Sequence, residues 1–245
     1  PLRRLSRAAY SRWGLMRKTR SLLVLLLLPL VPGCAAPEAV PSQPPADGAV
    51  VSLPEPRLTG DVSLEQALLE RRSVRDYADE PVSVEDLSQL LWAAQGVTAD
   101  WGGRTAPSAG ALYPLEVEVV AVRVSGLDPG AYRYVSGAHH LVPVHPGDIT
   151  GEVLAASGDQ GSVGDAAAVL VISAVYERTT AKYGERGIRY VHMEAGHAAQ
   201  NVYLQVTALG LGCVVIGAFD EDRLSEALGL PEDETPLYLI PVGVI

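Results

Sequence analysis

The sequence predicts one α+β domain that follows a targeting leader and a tether. Three observations favour this fold class. Two helical stretches begin at capping serines, Ser63 and Ser83. The apolar run AAAVLVISAVY, residues 166–176, is typical of a strand buried on both faces. Helices and strands follow one another without strict βαβ alternation, which argues against a purely parallel sheet.

Residues 1–34 are predicted to form a leader. Seven basic residues precede any acidic one, and SLLVLLLLPLV is too short to span a bilayer core of about 30 Å. Met16 is hypothesised to be the true start. The PGC sequence resembles a bacterial lipobox with Cys34 lipidated, so an exported, periplasmic or cell-surface membrane-anchored lipoprotein is expected. The alternative is a plain secretory signal with an incidental cysteine; fatty-acid labelling that Cys34→Ser abolishes would separate the two.

Residues 35–58 are rich in Pro and Ala without period and predict an extended tether, which leaves 59–245 as the folded domain. Cleavage removes seven of 19 basic residues and no acidic one, leaving 12 against 29 and a formal charge of −17. A body this acidic repels nucleic acid, which excludes that class of partner. With two cysteines in unlike surroundings, no CxxC and no HExxH, neither a disulfide framework nor a metal site is expected.

The elements follow in order along the domain. The first helix starts at Ser63, with Gln66 completing a capping box, and the second runs from Ser83 to a stop at Gly96. Strands are predicted at 116–124, 131–136, 139–144 and 166–176, and in the closing segments CVVIGAF and PLYLIPVGVI. The long helical segment at about 189–210 is apolar on more than one face, so it predicts burial either centrally or in a homodimer interface.

The segment RRSVRDY carries the strongest anion-binding pattern. Arg71 and Arg75, four residues apart, are expected to project from one helical face, with Arg72 and Ser73 beside them. Three guanidiniums and a hydroxyl favour a phosphate, because arginine offers planar paired donors and stays charged. The alternative is a solvated helix end whose arginines complement the helix dipole and pair with Glu70 or Asp76.

The loop PSAGALYP, residues 107–114, is almost uncharged and built of small residues ahead of a strand. Such a loop lets backbone groups approach a flat ligand closely. A phosphate cluster together with a close-approach loop, and no GxGxxG after a strand, favours FMN over a dinucleotide.

These motifs, with LLWAAQG, KYGERGIRYVHMEAGHAAQNVYLQVTALGLG and VIGAFD, resemble the nitroreductase-like flavoenzymes and most of all their SagB-type dehydrogenase (azoline oxidase) branch. The resemblance implies a nitroreductase-like α+β fold with a central, mostly antiparallel sheet flanked by helices, dimeric, with FMN between subunits. It also implies the FMN contacts. The phosphate and ribityl chain would be held by Arg71, Arg72, Ser73 and Arg75. The ring would be faced by Pro107, Ser108, Ala109 and Gly110, with Gly217 and Ala218 on its other side, and Gln95 matches the helix-end glutamine of the branch.

The resemblance further implies that Lys182 and Tyr183 are catalytic, removing a proton while hydride passes to the flavin. A desolvated lysine beside Arg186 or Arg189 would act as a base; the alternative is a polar loop before the long helix. Glu194 is interpreted as structural, paired with one of those arginines.

Two functions follow. The first is an FMN-dependent oxidoreductase that transfers hydride between flavin and a small molecule or heterocyclic peptide. The second is a non-catalytic lipoprotein that carries or senses FMN.

Overall fold

A computed structural model describes residues 49–245; the predicted leader, Cys34 and the first part of the tether lie outside them. The helices are α1 (Leu64–Glu70), α2 (Val84–Gln95), α3 (Thr150–Ala156), α4 (Gly161–Gly164), α5 (Glu177–Tyr183), α6 (Arg186–Ala208) and α7 (Glu221–Leu228). The strands are β1 (Val51–Ser52), β2 (Val82–Ser83), β3 (Leu115–Ala121), β4 (Val124–Ser125), β5 (Gly130–Val135), β6 (His140–Pro146), β7 (Ala168–Val175), β8 (Leu211–Cys213) and β9 (Glu234–Val244).

A seven-stranded sheet in the order β1-β6-β5-β3-β7-β9-β8 forms the centre of the domain. Every neighbouring pair in it is antiparallel, and β2 and β4 form a separate two-residue parallel pair. This confirms the predicted α+β fold with a mostly antiparallel central sheet. The strand expected to end at residue 124 ends at Ala121 instead, and β4 follows it separately.

Helices cover both faces of the sheet. On one face, α2 and α6 pack against Val117, Val119 and Ile172. On the other, α3 and α7 pack against Val120 and Val171. Strand β7 is buried on both faces except at its last residue, as its continuous apolar run predicts.

The predicted helix starts are confirmed by their capping bonds. The Ser63 hydroxyl accepts from the Gln66 N–H at 3.1 Å, and the Ser83 hydroxyl accepts from the Asp86 N–H at 3.0 Å. Helix α2 then ends at Gly96. Local side-chain chemistry was therefore enough to place these boundaries.

The last part of the expected tether packs on the domain. Val51 and Ser52 pair with Leu141 and His140 at the edge of the sheet, and Leu53 is buried. The Ser88 hydroxyl donates to the Pro54 carbonyl at 2.6 Å. The packed domain therefore begins before residue 59.

Helix α6 begins at Arg186, before the predicted start at 189, and buries its apolar residues within the chain. Val191, Ala195, Val202 and other small residues face the sheet and α2. The exposed residues of α6 are mainly polar, with Ile188 and Met193 as the large apolar exceptions at 44% and 53% exposure. The apolar perimeter that predicts a dimer interface is thus buried in the core of a single chain.

A charged cluster lies inside the sheet, and no pattern in the sequence indicates it. Arg133 bonds to Glu118 and to Glu234, each at 2.9 Å, and the Ser173 hydroxyl donates to Glu118 at 3.0 Å. Burial, and then the nearby Glu234, raises the pKa of Glu118 well above its usual value, while Arg133 lowers it. One arginine facing two carboxyl groups favours a single retained proton over two buried negative charges.

Three further observations, on membrane-spanning helices, metal ligands and Cys213, apply to residues 49–245 only. In that range no helix combines the length and the apolar character needed to cross a bilayer. The same residues include no cluster of three or more metal-ligating side chains. Cys213 is buried, and burial raises the pKa of its thiol to about 12, so it is an inert core residue.

Candidate functional site

The arginine segment runs along the sheet rather than continuing a helix. Helix α1 ends at Glu70, and Arg71 has φ −48° and ψ 123°. The Val74 N–H donates to the Cys213 carbonyl and the Ala78 N–H to the Val244 carbonyl, both at 2.8 Å. The prediction that Arg71 and Arg75 share a helical face is therefore wrong, because pairing with the sheet edge replaces the helix.

Tyr203 of α6 joins this segment to the sheet edge. The Arg71 guanidinium lies 4.9 Å from the centre of the Tyr203 ring. The Tyr203 hydroxyl accepts from the Val215 N–H at 2.9 Å and lies 2.8 Å from the Ser73 hydroxyl. The hydroxyl proton of Tyr203 is free to be donated to Ser73. Tyr203 therefore orients both Arg71 and Ser73.

The arginines of the segment keep their charges available. Arg71, Arg72 and Arg75 form no ion pair within residues 49–245. Five other arginines do form ion pairs: Arg57, Arg123, Arg133, Arg178 and Arg223. Arg72 donates instead to the carbonyls of Leu69 and Arg71, at 2.9 and 2.8 Å. The ion pairs of the solvated-helix alternative are thus absent from residues 49–245, while the bond from Arg72 to the Leu69 carbonyl at the end of α1 agrees with that alternative. Arg71 and Arg75 remain able to receive an anion.

Gly217 and Ala218 lie on the same sheet edge. They follow Val215 by two and three positions, so Gly217 lies about 6–7 Å along the chain from the Tyr203 contact. Both are exposed, and the Ala218 carbonyl accepts from the Gln160 amide at 3.0 Å. The arginine segment forms one group with these two residues, which the family resemblance places on the other side of the flavin ring. We call this group the phosphate-side group.

The ring-facing loop, residues 107–113, has an unusual backbone. Gly110, Ala111 and Tyr113 have φ of 66°, 54° and 46°, a region that favours glycine and costs other residues about 1–3 kcal/mol. The Ser108 hydroxyl accepts from the Tyr113 N–H at 2.9 Å. Arg178 donates to the Tyr113 carbonyl at 3.2 Å. Pro107 and Gly110 are exposed, and Ser108 and Ala109 are half-buried.

Lys182 and Tyr183 lie directly against this loop. A Cβ placed on Gly110 would come 2.7 Å from the Tyr183 hydroxyl and 3.0 Å from the Lys182 amine. The Tyr183 ring also packs edge-on against Tyr190, with centroids 5.2 Å apart. The fold therefore brings together two motifs that are separated in sequence by strands β3 to β7, and a side chain at Gly110 would displace them.

The surroundings of Lys182 differ from the expectation in two ways. It lies at the end of α5, not in a loop, and it is exposed in the single chain, so the expected desolvation is absent. Arg186 donates to the Tyr190 hydroxyl at 2.8 Å rather than approaching the amine. Lys182 is, however, the one lysine between residues 49 and 245, and lysine, unlike arginine, can give up its proton.

Glu194, Arg104 and Gln95 lie beneath the loop. Glu194 is 2% exposed. Burial raises the pKa of its carboxyl group, and Ser108, Arg104 and the Ala109 N–H lie close enough to lower it. The predicted pairing of Glu194 with Arg186 or Arg189 is therefore wrong. Gln95 is buried and accepts from Arg104 at 3.0 Å, while its amide nitrogen has no partner within residues 49–245. With Lys182, Tyr183 and the loop, these residues form the ring-side group.

The two groups lie on opposite flanks of α6. Tyr203 touches the phosphate-side group and Glu194 the ring-side group. They are nine positions apart, which is two and a half turns and about 13 Å of helix. Their side chains therefore point in opposite directions, and the body of the helix lies between the groups.

Sequence reasoning missed three residues that organise these groups: Tyr203, Arg104 and Tyr190. Tyr203 carried one usable signal, a hydroxyl at the margin of an apolar helical stripe, where a buried phenol requires a partner. Arg104 was a lone charge just before an uncharged loop.

Known proteins share this architecture. The model of the Nitroreductase family matches residues 68–244. MJ1384 of Methanocaldococcus jannaschii, named as a nitroreductase, is 47% identical over 183 residues, covering 75% of this chain and 91% of that protein. A Ralstonia eutropha crystal structure, also named as a nitroreductase, has a TM-score of 0.70 at 34% identity, covering 83% of this chain and 94% of the other.

A third relative is the microcin B17-processing protein McbC of Escherichia coli. It is 28% identical over 134 residues, about half the length of either protein. The microcin synthetase complex of E. coli, McbBCD with truncated pro-MccB17 bound, shares the fold with a TM-score of 0.62 at 24% identity, over 82% of this chain and 79% of the matched one. The extent of the family match and the identity to MJ1384 establish that the chain belongs to the nitroreductase family.

Proposed function

We propose that the protein is an FMN-dependent oxidoreductase. One observation carries the proposal: the small-residue loop at Gly110 is pressed against the only lysine of residues 49–245. A loop of this kind accepts a flat ring, and the adjacent amine is placed to exchange a proton with a substrate on that ring. Membership of the nitroreductase family supports the same chemistry.

The residues fit FMN at both of its ends. Arg71, Arg72 and Arg75 form no ion pair with the described residues 49–245. With the Ser73 hydroxyl, they match a phosphate monoester, which needs several charge-assisted donors. The ring-facing loop offers backbone groups and small side chains to an aromatic face. Bound FMN would supply the redox chemistry, which amino-acid side chains cannot provide.

The two groups indicate that the site is completed by a second copy of the chain. Since α6 separates them within one chain, we propose a homodimer in which one subunit gives the phosphate-side group and the partner gives the ring-side group. The core residues of α6 do not supply the dimer interface, because they are buried inside the chain.

Lys182 is proposed as the base and Tyr183 as the residue that orients it. The amine must be neutral to take a proton, and a substrate or partner surface that covers it would favour that form by excluding water. Because Lys182 lies against Gly110 of the loop that would receive the ring, its amine would be within reach of a substrate bound there.

The substrate is proposed to be a small molecule or a heterocyclic peptide. The SagB-type motifs and the likeness to McbC, a peptide-processing protein by its name, support the peptide. A cyclodehydratase and a precursor peptide encoded beside this chain would favour azoline oxidation over reduction of small quinones or nitro compounds.

An anaerobic reduction experiment tests the proposal. The FMN-reconstituted protein should be reduced by NAD(P)H, by an artificial donor or by an azoline peptide, and reoxidised by a quinone over many turnovers. The visible absorbance of oxidised flavin reports both half-reactions. Bound FMN that no donor reduces would favour the carrier function instead, and no bound FMN would remove both functions.

A further inference from the structure

Glu194 is a buried carboxyl group that the proposed chemistry does not use. It lies under the ring-facing loop, 2% exposed, and its Oε1 atom has no hydrogen-bond partner within residues 49–245. A buried carboxyl group with an unsatisfied oxygen destabilises a fold compared with an apolar residue of similar size. Stability alone therefore does not explain its presence.

The groups around Glu194 are hydrogen-bond donors. The Ser108 side chain and the Ala109 N–H lie close enough to its carboxyl group to lower its pKa, and Arg104 is the charged residue that acts in the same direction. The Ser108 oxygen is already engaged by the Tyr113 N–H at 2.9 Å, so its own proton is left for Glu194. A carboxylate only accepts hydrogen bonds, so the ionised form matches this environment.

The ring-facing loop above Glu194 requires support from its surroundings. Ala111 and Tyr113 adopt left-handed φ values that only surrounding contacts can impose on residues other than glycine. Glu194 supports the loop from beneath, while Lys182 and Tyr183 contact its outer side at Gly110. A shift of the loop therefore moves the surface on which both residues rest.

We propose that Glu194 is a positioning residue: its carboxylate fixes the ring-facing loop in the conformation that receives the flavin and sets Lys182 and Tyr183 against Gly110. This inference rests on the proposed FMN function. It assigns Glu194 no contact with substrate, and its effect passes through Ser108 and Ala109.

The charge of Glu194 should affect function and stability in opposite directions. Burial raises its pKa to about 7, against the lowering effects of Ser108, Arg104 and Ala109. Because those donors favour the ionised form, the loop is held more firmly above pH 7 than below it. The folded-state pKa lies above the ordinary 4.5, so the stability present below pH 4.5 is lost as the pH rises to about 7.

The test compares FMN-loaded wild type with Glu194→Gln, Glu194→Ala and Glu118→Gln. Glu118 is a matched control, since it is a buried glutamate whose partners lie in the sheet. The visible circular dichroism of bound flavin is followed from pH 5.5 to 8.5 without substrate, with kcat and the melting temperature measured at pH 6 and pH 8. Lys182→Ala is included to show whether the spectral change depends on the amine of that residue rather than on Glu194.

Wild type, Glu118→Gln and Lys182→Ala should show a flavin spectral transition near pH 7 that both Glu194 variants lack. At pH 8, kcat should fall about 10-fold in Glu194→Gln and about 10- to 100-fold in Glu194→Ala, as expected for one or two lost charge-assisted bonds. Glu194→Gln should nevertheless melt no lower than wild type at pH 8, which a purely structural role would not produce.

A transition that persists in Glu194→Gln would overturn the inference, as would a melting-temperature loss that fully parallels the loss of kcat. The same spectral change in Glu118→Gln would also overturn it, because the effect would then belong to any buried glutamate. Wild type that binds no FMN would instead overturn the proposed function.

Discussion

Replacing Arg71 and Arg75 together by glutamine should abolish FMN retention while the fold remains intact. Each charge-assisted bond to a phosphate contributes about 1.5–3 kcal/mol, so losing two raises the FMN dissociation constant by about 10²- to 10⁴-fold. Neither side chain forms an ion pair within residues 49–245, and their removal therefore leaves no buried carboxylate unpaired. Quenching of flavin fluorescence on titration measures the constant.

The matched control for that variant is Arg223→Gln. Arg223 is, like Arg75, an exposed arginine, but it pairs with Asp220 at the start of α7, outside both groups. It should bind FMN like wild type. Far-UV circular dichroism should be unchanged in both variants. Unchanged FMN affinity in the double variant would mean that the arginines are an ordinary solvated segment, and the phosphate assignment would fail.

Lys182→Ala should slow substrate oxidation by about 10²- to 10⁴-fold, the usual contribution of a positioned base. Flavin content, and reduction of the flavin by a small artificial donor, should change little, because that half-reaction needs no proton transfer to Lys182. Tyr183→Phe should act in the same direction less severely, since its hydroxyl only orients the amine. Rapid-mixing absorbance of each half-reaction gives the comparison.

Arg189→Gln serves as the control for Lys182→Ala. It removes another exposed cation, on the first turns of α6, and both half-reactions should keep wild-type rates. Equal loss of both half-reactions in Lys182→Ala would show that the residue supports flavin binding or the fold. Wild-type rates in both would make α5 an ordinary surface helix end and remove the catalytic assignment.

The sequence was most informative where local chemistry decides structure. Ser63 and Ser83 cap helices as their side chains predict, and the apolar run around Leu170 forms the doubly buried strand β7. The prediction from sequence failed at Arg71, where the four-residue spacing to Arg75 suggested that both side chains share one helical face. There the backbone of Val74 bonds to Cys213, which lies near the other end of the domain in sequence, and no local signal reports that pairing.

The site shows the same division. The residue types of both groups could be identified from the sequence, because arginines indicate anion binding and small loop residues allow a ligand to approach closely. Their arrangement was not. Glu194 was expected to pair with an arginine of its own helix, yet its partners belong to the loop that precedes β3. The phosphate-side and ring-side groups lie on opposite flanks of α6 because Tyr203 packs against the arginine segment. No spacing rule predicts that packing.

Our central claim is that each FMN site is formed by residues from two copies of this chain. The most direct measurement is the flavin content and mass of the purified protein after reconstitution with excess FMN, by absorbance and by light scattering on a sizing column. We expect about one FMN per chain on a particle of twice the chain mass, with the flavin lost if the dimer is dissociated. A monomer that retains FMN, or a protein that retains only FAD or no flavin, would contradict the account.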